Sequence, residues 1–179
     1  ALHSRCGTMT ADRRVLIAGG GPTGMASALF VTALGVPVLL FERGAAPHSD
    51  PRAATYHPPS LEMLEPSGVT ADLHTQGIIA RTWQWRDRRE GVVAEFDLAL
   101  LADVTRFPYR LQCEQHKLVA MMQKRVAASP LAEIRQDCEV TEVTQDETGV
   151  TVSLREAGRE TTVRGAWLIG ADGGRSVVR

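Results

Sequence analysis

Gly19, Gly21 and Gly24 stand in the spacing G-x-G-x-x-G within Gly19-Gly20-Gly21-Pro22-Thr23-Gly24, and Glu42 follows 18 positions after the last of them. The pattern alone is weak, but each glycine has a physical task when a dinucleotide is bound. Gly19 lets the chain turn sharply, Gly21 lets backbone approach a pyrophosphate, and Gly24 lets a helix pack close to a strand. The N–H groups and partial positive charge of a helix starting here favour phosphate. A carboxylate at Glu42 can accept both hydroxyls of an adenosine ribose and repels a 2′-phosphate, so FAD or NAD is favoured over NADP. The alternative is a glycine-rich turn that holds no ligand.

The flanking sequence supplies the elements such a turn needs. Arg14 to Ala18 reads as a short buried strand, Met25 to Leu34 as a helix stopped by Gly35, and Val36 to Phe41 as a second apolar strand ended by Glu42. Strands this apolar imply burial on both faces, as in a parallel sheet with helical crossovers. Gly44 to Pro59, with four prolines, reads as loop, and Ser60 is the expected N-cap of a short helix with Leu61 and Leu64 facing inward. Thr82 to Arg86, a charged turn at Asp87 to Gly91, and Val92 to Leu98 form a candidate hairpin. A helix over Glu114 to Ala128 is expected to bury Leu118, Met121, Met122 and Val126. Three alternating segments follow, carrying Val140 and Val143, then Val150, Val152 and Leu154, then Thr161 to Arg164. They read as an antiparallel meander. Trp167-Leu168-Ile169 is again an apolar strand, running into Gly170-Ala171-Asp172-Gly173-Gly174.

A nicotinamide-binding domain should continue its strand–helix alternation directly after Glu42. The proline-rich loop, hairpin and meander interrupt it, which favours a flavin-type domain. Four ordered motifs then carry a resemblance. They are Val15 to Gly24 with Glu42-Arg43; Pro51-Arg52-Ala53 with Ser60-Leu61-Glu62-Met63-Leu64; Pro108-Tyr109-Arg110-Leu111 with Gln115-His116-Lys117-Leu118; and Gly170 to Arg179. From Met9 onward the chain resembles the class A flavoprotein monooxygenases related to 4-hydroxybenzoate and phenol hydroxylases, with the phenylpropionate-hydroxylase-like branch nearest.

The resemblance implies an α/β fold: an FAD-binding, Rossmann-like parallel sheet with a βαβ start, a three-stranded antiparallel meander and part of a substrate-domain sheet. Residues 9–179 would be an incomplete FAD-binding domain, with 76–112 a partial substrate-domain insertion. It also implies roles. Gly19, Gly21, Pro22, Thr23, Gly24, Glu42 and Arg43 would hold the adenosine diphosphate. Arg52 would approach the flavin or the nicotinamide, Gln115 the ribityl chain, and Asp172 would sit near FAD and shape the nicotinamide approach. Their bland readings stay open: a solvated loop cation at Arg52, a first-turn helix residue at Gln115, and a turn after a strand at Asp172-Gly173.

The implied activity is NADH- or NADPH-dependent hydroxylation of a phenolic or related aromatic compound by molecular oxygen through a flavin hydroperoxide. No protein nucleophile is needed, because the cofactor makes the bond, so no catalytic residue and no metal site are assigned. The family's chains run well past the Asp-Gly motif, so the chain alone is expected to bind FAD weakly or not at all and to be inactive. Two rival readings are another FAD oxidoreductase, such as a dehydrogenase or halogenase, and a non-catalytic fragment that self-associates, for instance as a homodimer.

Composition narrows the partners. Twenty Lys and Arg against 21 Asp and Glu give a formal charge of −1, which suggests neither a nucleic-acid nor a membrane partner. Three cysteines, Cys6, Cys113 and Cys138, lack metal-ligand spacing and fit a reduced, cytoplasmic chain. Ala1 to Thr8 has no apolar core for a signal peptide and reads as a cloning remnant before Met9. Trp83 and Trp85 share a strand face, where packing is preferred to lining a substrate cavity. His57, His74 and His116 are expected as solvated or loop histidines, and Arg86, Arg88 and Arg89 with Asp87 and Glu90 as a solvated turn.

Overall fold

The structure, a computed structural model, describes residues 13–46 and 52–179 of the chain. The readings made for Ala1 to Thr8, Met9, Cys6 and Pro51 lie outside the described residues. In chain order the elements are β1 (Val15–Ala18), α1 (Pro22–Ala33), β2 (Val38–Phe41), β3 (Thr55–Tyr56), α2 (Pro58–Leu64), α3 (Val69–Gln76), β4 (Ile78–Ala80), β5 (Thr82–Asp87), β6 (Gly91–Asp97), β7 (Arg110–Gln112), α4 (Gln115–Ala127), β8 (Ala132–Arg135), β9 (Cys138–Asp146), β10 (Gly149–Glu156), β11 (Arg159–Gly165) and β12 (Trp167–Gly170). The described residues fall into two compact units, one made of residues 13–46 with 123–179 and one of residues 52–122.

The first unit is built on a parallel sheet of order β12-β1-β2-β8, with Leu16 level with both Leu39 and Leu168. Leu16, Leu39 and Phe41 turn one face toward the meander β9–β10–β11 and form a core with Cys138, Val150, Val152 and Leu154. Strand alternation sends Ile17 and Leu40 to the opposite face, and α1 lies against β1 and β2. All four residues of β2 are buried. That double burial is why β1 and β2 read as unbroken apolar runs. β12 departs from the reading because it is an edge strand, and Trp167 is 72% exposed. The turn between β10 and β11 is a two-residue loop, Ala157-Gly158, with both φ values positive, the geometry that matches strand twist in a tight hairpin.

The second unit holds a small antiparallel sheet, β3-β7-β4, and the separate hairpin β5–β6. Several expectations are corrected here. Ser60 lies inside α2, whose N-cap is His57 with Pro58 at the first helical position, where proline's fixed φ and missing N–H cost nothing. The expected loop Gly44 to Pro59 contains β3 and the start of α2. α3 follows Gly68, a left-handed residue at φ 76°, and was not anticipated.

Trp83 stacks on Phe96 across the hairpin at 5.1 Å, but it is exposed, and Trp85 is 64% exposed. Neither shows the burial that packing would give. His74 is no loop residue: in α3 its Nδ1 meets the Thr70 carbonyl and its Nε2 the Tyr109 hydroxyl, both at 2.6 Å. A carbonyl only accepts, so Nδ1 carries a proton, and in the neutral imidazole the tyrosine donates to Nε2. His116 sits in α4, with its Nδ1 buried. The charged hairpin turn is as expected, with Asp87 Oδ1 accepting the N–H groups of Arg89 and Glu90. Cys113 and Cys138 are free and buried, and burial pushes both thiols up.

Candidate functional site

Within the first unit β1 is flanked by β2, reached through α1, and by β12, reached from far along the chain. In sheets of this kind the carboxyl edge where connections part to either side is where a ligand crevice forms. That edge gathers Gly19 to Gly24 after β1, Glu42 to Gly44 after β2 and Ala171 to Arg175 after β12. Two backbone bonds lock the strand ends: Gly19 N–H donates to the Phe41 carbonyl and Ala171 N–H to that of Ala18, each at 2.8 Å.

The glycines divide by what surrounds them. A Cβ on Gly19, whose φ is +101°, would lie 2.3 Å from the Ala171 carbonyl oxygen, and one on Gly24 would lie 1.8 Å from the Gly19 oxygen. These two positions serve close packing of the turn. A Cβ on Gly21 would meet nothing within 4 Å. Its bareness therefore leaves open a space that none of the described residues fills. Gly21 is also the N-cap of α1, Pro22 and Thr23 open the helix, no side chain caps it, and its first turn has no acidic residue. An uncapped helix start above an open glycine can receive a phosphate.

Glu42 is held in place by the turn it serves. Its Oε2 accepts the Gly20 N–H at 2.6 Å and its Oε1 accepts the Gly44 N–H at 2.8 Å. Each oxygen keeps a further lone pair, enough for two hydroxyl donors. Gly20 and Gly44 were not singled out from the sequence. A Cβ on Gly20 would come within 2.9 Å of Glu42 Cβ, and the only signal for it was its place in a triple glycine. Arg43 is exposed beside Glu42.

Asp172 follows β12 and is half-buried. Burial pushes its carboxyl up, but hydrogen bonds from the Ser176 hydroxyl and from backbone N–H groups, those of Val177 and Val178 among them, outweigh burial and hold it below the usual carboxylate value. Arg52 and Gln115 belong to the second unit. Arg52 is exposed, and Gln115 is the first residue of α4 and half-buried. The first unit thus brings together Gly19, Gly21, Pro22, Thr23, Gly24, Glu42, Arg43 and Asp172 at one sheet edge. Among the described residues no group of three or more His, Cys, Asp or Glu could hold a metal ion, and no helix is long and apolar enough to cross a membrane.

Sheet, glycine turn and meander together define a mixed α/β fold of the kind found in flavin-dependent monooxygenases. The chain belongs to the FAD binding domain family FAD_binding_3, whose sequence model matches residues 12–179. It is similar to 6-hydroxy-3-succinoylpyridine 3-monooxygenase HspB of Pseudomonas putida, at 34% identity over 96% of this chain and 44% of that protein. The solved structure of p-nitrophenol 4-monooxygenase PnpA from Pseudomonas putida superposes with a TM-score of 0.90 at 30% identity, covering 94% of this chain and 42% of that one. A flavin-dependent monooxygenase, PieE, solved with FAD and substrate, gives a TM-score of 0.82 at 28% identity, over 92% of this chain and 31% of that one. The chain spans less than half the length of each.

Proposed function

We propose that the chain supplies the adenosine-diphosphate site and adjoining structure of an FAD-dependent monooxygenase that hydroxylates a phenolic or related aromatic compound. The observation that carries this is the turn at Gly19 to Gly24. Two of its glycines are filled by their own backbone neighbours, one stands open at an uncapped helix start, and a carboxylate is fixed beside it. These residues fit the adenosine diphosphate of FAD. Gly21 and the first turn of α1 would take the pyrophosphate, and Glu42 the ribose hydroxyls. Bound here, FAD supplies the oxidation–reduction chemistry. The chain's own residues bind and orient it, which is why no protein nucleophile is required.

Arg52 and Gln115 are proposed for the flavin end of the cofactor, Arg43 for the adenosine end, and residues 76–112 for the substrate side. The reaction takes one oxygen atom of O2 into the aromatic ring and the other into water. NADH or NADPH is the proposed donor of the two electrons this balance needs.

Oxygen uptake by FAD-loaded protein carrying this chain, with NADH or NADPH and a panel of phenols, tests the reading. Uptake coupled to a product that gains one oxygen atom supports it. Flavin reduction without hydroxylated product from any phenol returns the dehydrogenase or halogenase reading. A second reading, self-association, is favoured by the exposed aromatic face of β5–β6, where Trp83, Trp85 and Phe96 stand out of the sheet.

A further inference from the structure

The small sheet β3-β7-β4 packs one face inward and leaves the other part-open. Leu111 on β7 is fully buried, so Arg110 and Gln112 on either side of it point to the opposite face. Register places Thr55 and Ile78 next to Gln112, and Ala80 next to Arg110, on that same face. All of these residues belong to the second unit. Their hydrogen bonding is uneven. The Thr55 hydroxyl donates to Gln112 Oε1 at 2.8 Å, and the Gln112 NH2 meets no acceptor among the described residues. Arg110 donates to the Thr82 carbonyl at 3.2 Å, its Nε is buried with no acceptor, and no carboxylate among the described residues pairs with it. A part-buried guanidinium is ordinarily paired, because donors left unmet inside a protein are costly. Both unmatched groups are donors, and the exposed side chain of Ile78 stands beside them.

We propose that this face anchors the aromatic substrate by an anionic substituent, with Arg110 as the specificity-determining residue. The guanidinium and the Gln112 NH2 hold a carboxylate or phenolate oxygen, and Ile78 lies against the ring. This rests on the reading of the chain as part of an aromatic hydroxylase and narrows its substrate class to aromatic anions. The Thr55 bond occupies the amide oxygen of Gln112, which leaves the NH2 as the group free to bind. Hydrogen bonds from a guanidinium to an oxyanion are charge-assisted and roughly twice as strong as neutral ones. A site built from such donors therefore discriminates against a ring whose substituent is neutral. Lysine would keep the charge but lose the planar fork that matches a carboxylate.

The test titrates this chain with benzoate, following the Arg110 Nε–H and Gln112 NH2 signals by NMR, with benzamide and acetate as controls. Benzoate is expected to shift both signals saturably and to bind at least about fivefold tighter than either control. Arg110→Gln should weaken benzoate about tenfold and leave benzamide within about twofold, whereas a merely structural loss would weaken both. Ile78→Ser should weaken benzoate about threefold without changing acetate, and it decides the matter with the two controls if Arg110→Gln fails to fold. The proposal is overturned if benzoate leaves both signals unmoved, if benzamide or acetate binds as tightly as benzoate, or if Arg110→Gln binds benzoate like the parent chain. None of these readings needs FAD or turnover. Failure of FAD-loaded protein to hydroxylate any phenol would sink the hydroxylase reading alone, and selective benzoate binding at Arg110 would then still support an aromatic-anion site on this face.

Discussion

Gly24 and Gly21 are alike in the sequence motif and opposite in the structure, so alanine should separate them. At Gly24 the added Cβ meets backbone oxygen at 1.8 Å, and neither partner can move aside as a flexible side chain would. Gly24→Ala should cost about 3 kcal/mol or more, lowering the melting temperature by roughly 6–12 °C. At Gly21 the added Cβ enters open space, and the cost is that of a poorer N-cap, about 1 kcal/mol or less. Thermal melts of the two variants read the difference, and equal losses would contradict the division of tasks. Asp146 offers a test by pH. Its hydrogen bonds with the Arg164 guanidinium and the Thr148 side chain and backbone, the arginine first among them, hold its carboxyl far below the usual 3.8. The folded value lies below the unfolded one. The stabilisation is therefore fully present above 3.8 and is lost as pH falls through the folded value. Asp146→Asn should melt below the parent chain at neutral pH, with a gap that narrows as pH drops below 3.8. A constant gap would show that the ion pair contributes nothing.

The small sheet β3-β7-β4 can be tested through its tyrosine. Burial, with the nearby Cys113 and Glu114 charges, pushes Tyr56 up to about 12, and burial also raises Tyr109. The chain has two tyrosines, so Tyr109→Phe should leave a single tyrosinate transition, centred near 12. Because the folded value exceeds the unfolded one, the stability tied to Tyr56 is present below pH 10 and fades as pH climbs from 10 toward 12. Tyr56→Phe should blunt that alkaline loss. A transition centred near pH 10 in Tyr109→Phe would show the Tyr56 ring to be solvated.

The legibility of elements follows from where their information lies. β1, β2, the meander and α4 could be read because burial on one or both faces imposes a period on their own residues. β8 could not. Its sequence, Ala-Glu-Ile-Arg, becomes a strand by lying in register with β2, with Ile134 level with Leu40. β3 and β7 are joined across 57 positions by the Thr55–Gln112 hydrogen bond, and no local pattern carries such pairing. Ser60 was a better cap by type than His57, but Pro58 and Pro59 fix the start of α2 one turn earlier. The glycine turn was legible as a site because its spacing is itself the mechanism. The Glu42 clamp through Gly20 and Gly44 was not, because it arises only when β2 lies beside β1.

At the scale of the molecule the two open matters are association and cofactor. The aromatic face of β5–β6, with Trp83 and Phe96 stacked and Trp85 beside them, is an exposed apolar surface of the kind that drives contact between copies. If it does so here, light scattering should show mass rising with concentration, and replacing Trp83, Trp85 and Phe96 with serine should restore the monomer. A clean monomer in the parent chain removes the self-association reading. The central claim, that Gly19 to Gly24 with Glu42 is a working FAD site, is tested most directly by titrating this chain with FAD and following flavin fluorescence. Saturable but weak quenching is expected, with a dissociation constant above about 1 μM. It should be lost in Gly21→Ala, whose melting temperature stays near the parent's, and reduced in Glu42→Ala. Quenching that Gly21→Ala leaves unchanged would contradict it.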